Sequence, residues 1–320
     1  MKGFCGEKMF GLGKNQIYTI GVDINRDGLR LAQLAERGQE MNLLAGRLQE
    51  RPARIELGTA SWQHWAVDTI KEAIGHAGFK GKKVTAALAP SDVFIDNFKI
   101  PKVPEGKLSD ALFARLKNQL HYRGMRDNTI IKYFPTEQDN GMMIVVDQQV
   151  IDRHLAVLEK SGVEINTMGV WPEALVNCYV RFFGRRKSDA NAVVMLVNAD
   201  DDCVNVVICR HRKLLYARTL SLGISALSDE NNINRLVLEV TACRRDFSTL
   251  YPNTQVSRLI FLSGPVLDTS IYAAIAKQME VQAQIGDCLV AVEVAEPLYE
   301  TMDRRDHHVS WATAFGLSLS

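Results

Sequence analysis

The sequence is short of the features that usually announce a function. No uninterrupted apolar run reaches the roughly 18–20 residues needed to cross a bilayer, so no transmembrane segment is expected. The opening stretch MKGFCGEKMFGLGKNQ places Lys and Glu among its apolar residues and lacks the h-region of a secretory signal. Residues 1–16 read as a slightly basic leader, with a peripheral membrane contact through Phe4, Met9, Phe10 and Leu12 as the lesser alternative. Six cysteines, at 5, 178, 203, 209, 243 and 288, include no C-x-x-C pair. That spacing argues against a zinc cluster or a disulfide scaffold and fits reduced, buried thiols in a cytosol. The seven histidines show no H-x-x-x-H or H-x-H pattern, and His307–His308 follow Arg304, Arg305 and Asp306 on what reads as a polar loop. Aromatics make up 8% and the net charge is +1. Neither a base-stacking platform nor a nucleic-acid footprint is supported.

What is present is a pattern of elements. The run IYTIGVDINRDGLRLAQL, Ile17 to Leu34, is strand, polar turn, strand. A helix over ASWQHWAVDTIKEAIGHAGFKG and a buried strand in KVTAALAP follow. VFIDNFKIPKVPEG alternates and then breaks on Pro101 and Pro104, the signature of an edge strand and turn. KLSDALFARLKNQL is helical in period, NTIIKYFPT and GMMIVVDQQ are strands, and QVIDRHLAVLEKSG is a helix closed by Gly162. VEINTMGVWPEALVNCYVRFF reads as strand, proline turn and helix, and the charged GRRKSDAN marks a boundary near 184–190.

The second part repeats the first. AVVMLVNADDDCVNVVICRHRKLLYARTLSLGIS is three apolar runs separated by an acidic and a tight turn. A helix in DENNINRLVLEVTACRRDFSTLY, a strand in VSRLIFLSG, a helix over PVLDTSIYAAIAKQM, a short strand in VQAQI and a closing helix in VSWATAFGLSLS complete it. Two halves that each open on a hairpin and then add strand–helix units predict an α/β fold with a ligand cleft between them.

These stretches resemble the PilM family of type IV pilus assembly proteins, which belongs to the actin-like ATPase superfamily with FtsA. IGVDINRDGLRLAQL stands at the family's first phosphate hairpin and VNADDDCVNVVICRHRKLLYARTLSLGIS at its second. LIFLSGP stands at the adenosine loop, ATAFGLSLS at the closing helix, and FKIPKVP at a family segment of the form I-x-L-P-x-[MV]-P. The order and span of the matches carry the resemblance more than any one motif. It implies an actin-like (ribonuclease H-like) duplicated α/β fold with two halves around a central cleft. The expected divisions are 1–16 leader, 17–187 first half with a pilus-type extra subdomain at about 93–147, and 188–320 second half. The same resemblance implies a cytoplasmic protein, peripheral at the inner-membrane face, that binds ATP or ADP with Mg²⁺.

The nucleotide chemistry is eroded. Phosphate hairpins need glycines that admit backbone amides and small hydroxyls that donate. Asp23, the family's Mg²⁺-linked carboxylate acting through water, is kept, but Asn25 replaces the glycine, Arg26 and Asp27 replace serines, and Gly28 stands at the third. In the second hairpin Asn198 stands for the family Asp, Asp200 for its Gly, and Asp201, Asp202 and Cys203 fill the turn. Three carboxylates facing a polyphosphate would repel it by several kcal/mol. Gly264 survives in the adenosine loop, followed by Pro265, and Trp171 stands where the family often has Glu.

Plainer roles fit the same residues. Asp23 suits a turn acceptor, the DDD run a solvated turn, Gly264 and Gly316 packing positions, and Arg30 and Arg218 surface ion pairs. No Ser–His–Asp or Cys–His signature is visible. The expected function is therefore a pilus or type II secretion scaffold without catalysis. It would hold the cytoplasmic tail of a PilN-like inner-membrane protein, with contact to the assembly ATPase and self-association into a ring as further expectations. The alternative is a working actin-like ATPase or a sugar-kinase-like phosphotransferase. An FtsA-like filament anchor is weaker, because no terminal amphipathic helix is evident.

Overall fold

The computed structural model describes residues 16–38, 40–76, 78–118, 128–294 and 309–320. The leader through residue 15 and the His307–His308 pair lie outside the described residues. Strands β1 (Gln16–Ile24), β2 (Gly28–Arg37) and β3 (Glu40–Glu50) form an antiparallel meander. Helix α1 (Ala60–His76) leads to β4 (Lys83–Leu88), which pairs parallel to β1. An inserted unit follows: β5 (Phe94–Lys99), α2 (Leu108–Asn118), β6 (Thr129–Pro135) and β7 (Asn140–Asp147), with strand order β5-β7-β6. Helix α3 (Gln148–Lys160) returns the chain to β8 (Glu164–Val170), parallel to β4, and α4 (Trp171–Phe182) closes the half.

The second half repeats this plan without the insertion. β9 (Val193–Ala199), β10 (Val204–Arg210) and β11 (Lys213–Leu220) form the meander. α5 (Glu230–Leu250), β12 (Arg258–Phe261), α6 (Thr269–Met279) and β13 (Gln282–Ile285) supply the two parallel additions. The orders β3-β2-β1-β4-β8 and β11-β10-β9-β12-β13 are equivalent strand for strand. The boundary expected near 184–190 includes the short helical turn Lys187–Ala190. Beyond it, β14 (Glu293–Val294) and α7 (Ala312–Ser318) return to the first sheet, β14 beside β3 and α7 across β1 and α4.

Burial explains the strand sequences. β1 and β9 are apolar runs because helices cover both faces, and β9 is buried throughout. One apolar core joins Ala32 and Leu34 of β2, Trp171 and Tyr179 of α4, Val194 and Leu196 of β9, and Phe315 of α7. The two halves therefore share a core. Gly316 lets α7 lie on α4, since a Cβ there would sit 1.8 Å from the Ala174 carbonyl oxygen.

Three elements differ from the sequence reading. β3 was not anticipated as a strand, although Met41 and Leu43 alternate inward along it and Ala45, past a register shift, is buried in a second core cluster. Between β8 and α4 there is no separate proline turn: the helix begins at Trp171 with Pro172 in its first turn, where a missing N–H costs nothing. α6 starts at Thr269 instead of Pro265, capped by Asp268, whose carboxylate accepts from Ser270 N at 2.7 Å. The described cysteines are all free and buried, as their spacing suggested. Among the described residues no helix is long and apolar enough to cross a membrane.

Candidate functional site: two acidic turns around one arginine

The first turn is closed by Asn25 N donating to the Gly28 carbonyl at 2.9 Å. Gly28 serves packing, because a Cβ there would lie 2.4 Å from the Gln49 carbonyl oxygen of β3. Arg51, at the end of β3, holds the turn from behind: its N donates to Asp27 O at 2.7 Å and its Nε to Arg26 O at 2.6 Å. Asp23 and Arg30 are cross-strand partners, so their side chains share one face of the sheet. Asn25 Nδ2 donates to Asp23 Oδ2 at 3.1 Å.

The second turn is closed by Asp200 N donating to Cys203 O at 2.9 Å. Asp200 Oδ2 accepts from Asn198 Nδ2 and from Asn205 Nδ2, each at 3.1 Å. These amides are in turn oriented, Asn198 Oδ1 by the Ser310 hydroxyl at 2.5 Å and Asn205 Oδ1 by Thr219 Oγ1 at 3.0 Å. Its other oxygen, Oδ1, is left to face the first turn.

Arg30 fills the space between. Its side chain is 1% exposed, with Nη1 3.5 Å from Asp23 Oδ2 and 3.9 Å from Asp200 Oδ1, while Nη2 donates to Asp27. Among the described residues, Nε and Nη1 of Arg30 and Oδ1 of Asp200 have no hydrogen-bond partner. A second link crosses the turns at the surface, Arg26 Nε to Asp202 Oδ2 at 3.7 Å. The reading of Arg30 as a surface ion pair is thus corrected: it is a buried cation shared by three carboxylates. Arg218 is the exposed ion pair expected of it, with Asp246 at 2.9 Å.

Burial dominates the protonation of this cluster. It pushes Asp23 up to about 6, against the attraction of Arg30, with Asp27 adding repulsion. It pushes Asp200 up to about 8, again opposed by Arg30 and reinforced by Asp23, Asp27 and Asp202. For Arg30 burial works against the charge, and Asp27, Asp200 and Asp23 outweigh it, holding the guanidinium charged. One cation among three carboxylates leaves excess negative charge, which a proton on Asp200 near neutrality reduces.

The predicted site residues therefore divide. Asp23, Asn25, Arg26, Asp27, Asn198, Asp200 and Asp202 belong to the two facing turns. Asp200 is buried although the acidic run was read as a solvated turn, whereas Asp201 is exposed. Gly264 contacts other groups: it sits at φ +67° after β12, near Asp287, and its carbonyl accepts from the Tyr272 hydroxyl at 2.5 Å. Arg51, Asn205 and Ser310 were not identified from the sequence, and Arg30 was read there only as a surface ion pair. Among the described residues no group of three acidic, histidine or cysteine side chains is arranged to hold a metal. The donor set suits the internal guanidinium and does not fit a Mg²⁺-polyphosphate, whose oxygens would meet carboxylates.

A groove of about 440 Å³ lies where the inserted sheet meets the second half. β5 is an edge strand, and with β11, α5 and the Tyr216 and Arg218 side chains it lines this groove. The Asn97 side chain mimics a peptide against β11, donating to Ala217 O at 2.8 Å and accepting from Ala217 N at 3.2 Å.

A chain of the solved "PilM-PilN type IV pilus biogenesis complex" matches 94% of this chain and 98% of its own, with a TM-score of 0.69 at 16% identity. The fold is actin-like. A Bacteroides thetaiotaomicron protein of actin-like ATPase fold and unknown function matches with a TM-score of 0.47 at 14% identity, over 92% of this chain and all of its own. The cytoplasmic domain of EpsL, an inner-membrane component of the Vibrio cholerae type II secretion system, matches with 0.48 at 12%, over 77% and 82%. No family model and no curated sequence matches the chain.

Proposed function

We propose that the protein is a nucleotide-independent scaffold of a pilus or secretion assembly platform at the inner-membrane face, holding the extended cytoplasmic tail of a PilN-like membrane protein. The observation that carries this reading is Arg30, which fills the space between the two turns where an actin-like ATPase would need room for phosphate oxygens. Turnover needs open phosphate loops and a carboxylate free to position water or metal. Here Asp23 faces the guanidinium. The overall match to a chain of a PilM–PilN complex supports a tail as the ligand class.

The tail's seat is the groove beside β5. β5 is the outer strand of its sheet, the position at which an extended peptide can add to a sheet, and Pro101 and Pro104 beyond it limit indiscriminate pairing. Two measurements test the reading. Mg²⁺–ATP should leave the melting temperature unchanged, and robust hydrolysis abolished by Asp23→Ala would instead establish the enzyme. A tail peptide of the membrane protein should bind the parent and lose affinity with Thr249→Lys on the exposed rim, at unchanged melting temperature. Loss of binding from exposed substitutions elsewhere, with none at this rim, would move the groove.

A further inference from the structure

The end of the molecule remote from the acidic turns carries the opposite charge. β1 runs from Gln16 to Ile24 and β10 from Val204 to Arg210, so the start of β1 and the β10–β11 turn lie at the far ends of these strands. Between them is a groove of about 430 Å³ lined by Tyr18, Arg181, Arg185, His211, Arg212 and Leu319 among others. Arg181 is held by Glu36 at 2.8 Å, and Glu36 also accepts from the Tyr18 hydroxyl at 3.0 Å. Nearby, Glu137 pairs with Arg210 and Lys213. Arg185 and Arg212 are exposed and make no ion pair among the described residues. Exposed Arg186 and Lys187 extend the same field along the surface, whereas Arg37 stands opposite Glu40. The chain as a whole is only +1, so this is charge segregated to one end and not an average property.

Three features decide what such a surface fits. Guanidinium groups match phosphate oxygens in planar, two-pronged geometry. The lining offers little apolar surface beyond Val180 and Leu319, and so lacks the buried anchors that hold a folded protein. The chain also enters the fold here: Ile17, next to Tyr18, is 55% exposed. The sequence before it intersperses Phe4, Met9, Phe10 and Leu12 with Lys2, Lys8 and Lys14. Exposed basic side chains together with an apolar, lysine-bearing sequence are the two signals that attach peripheral proteins to anionic bilayers.

We propose that this end docks on an anionic phospholipid bilayer, with headgroup phosphates taken by Arg185 and Arg212. The inference goes beyond tail binding and does not depend on it. The test is sedimentation of the full chain, without any partner, with vesicles of phosphatidylcholine alone or mixed with phosphatidylglycerol. Binding is expected to the mixed vesicles only and to weaken as salt rises. The double reversal Arg185→Glu/Arg212→Glu should keep the parent melting temperature and reduce partitioning by at least about tenfold. Equal binding to both vesicle types, or undiminished binding by the double variant, overturns the proposal. So does loss of binding in Phe4→Ser/Phe10→Ser with the double variant unaffected, which would put attachment in the leader alone. A parent that ignores anionic vesicles but binds poly-glutamate through Arg185 and Arg212 would make the groove a seat for an acidic protein.

Discussion

The two turns are related by topology and differ by an exchange of two residues. In the first, Asp23 is next to last in its strand and Asn25, two residues on, donates to it; in the second, Asn198 is next to last and donates to Asp200, two residues on. The Asn-to-Asp hydrogen bond is 3.1 Å long in both, running in opposite chain directions. The cross-strand neighbours differ more: Arg30 faces Asp23, whereas Asn205 faces Asn198. Only the first hairpin thus supplies a cation, and its guanidinium faces both aspartates. The lesson is that a duplicated scaffold can keep its turn geometry while its phosphate chemistry is replaced by an internal ion cluster. Hydrogen bonds orient the carboxylates, and one residue, Arg30, offsets part of their charge.

Removing that residue is the strongest way to break the comparison. Arg30→Ala leaves Asp23, Asp27 and Asp200 facing one another without a cation, and stripping one partner from a buried ion pair costs about 3–5 kcal/mol. Urea unfolding should register a loss of that order. Asn205→Ala, at the equivalent place in the second hairpin, removes one hydrogen bond to Asp200 and should cost about 1–2 kcal/mol. Equal losses would mean that Arg30 acts as packing volume and not as the shared cation.

A pH series sharpens the same asymmetry. The folded pKa of Asp200 lies near 8, above its unfolded value, so the folded state keeps a proton that the unfolded chain releases. The stabilisation is complete below the unfolded pKa and is lost as pH rises through about 8. Asp200→Asn keeps an acceptor for Asn198 and Asn205 and cannot ionise. Its urea midpoint relative to the parent should therefore climb between pH 5 and pH 8.5. A gap that stays constant would show Asp200 ionised throughout, as a true partner of Arg30.

How far the site was legible follows from the range of each contact. The hairpins were readable because apolar runs bracket short polar turns, and the duplication because that pattern recurs. β3 was missed because MNLLAGRLQE is poor in β-branched residues, though Met41 and Leu43 kept a period of two. β14 is two residues long and exists only through its pairing with β3. Arg30 was misread by residue type, since arginines are mostly exposed. Counting outward from the turn, however, sets 24 opposite 29 and 23 opposite 30, which places an acid and a base face to face. The meeting of Arg30 with Asp200 joins two halves of the chain, and no local pattern encodes it. The same holds for Ser310, which reaches Asn198 from the C-terminal segment.

The smallest effect belongs to the second link between the turns. Arg26 and Asp202 approach to 3.7 Å with side chains 56% and 29% exposed. Water screens such a pair, and holding two flexible side chains together offsets much of the attraction, so exposed pairs contribute about 0–1 kcal/mol. Arg26→Ala and Asp202→Ala should each shift the urea midpoint only slightly, and the double variant should match their sum within about 0.5 kcal/mol. High salt should erase what coupling there is. Both links connect the same two hairpins, and burial separates their magnitudes. If the Arg26–Asp202 cycle instead gave coupling comparable to the loss in Arg30→Ala, the surface pair would be holding the turns together, and the buried arginine would not be their principal connection.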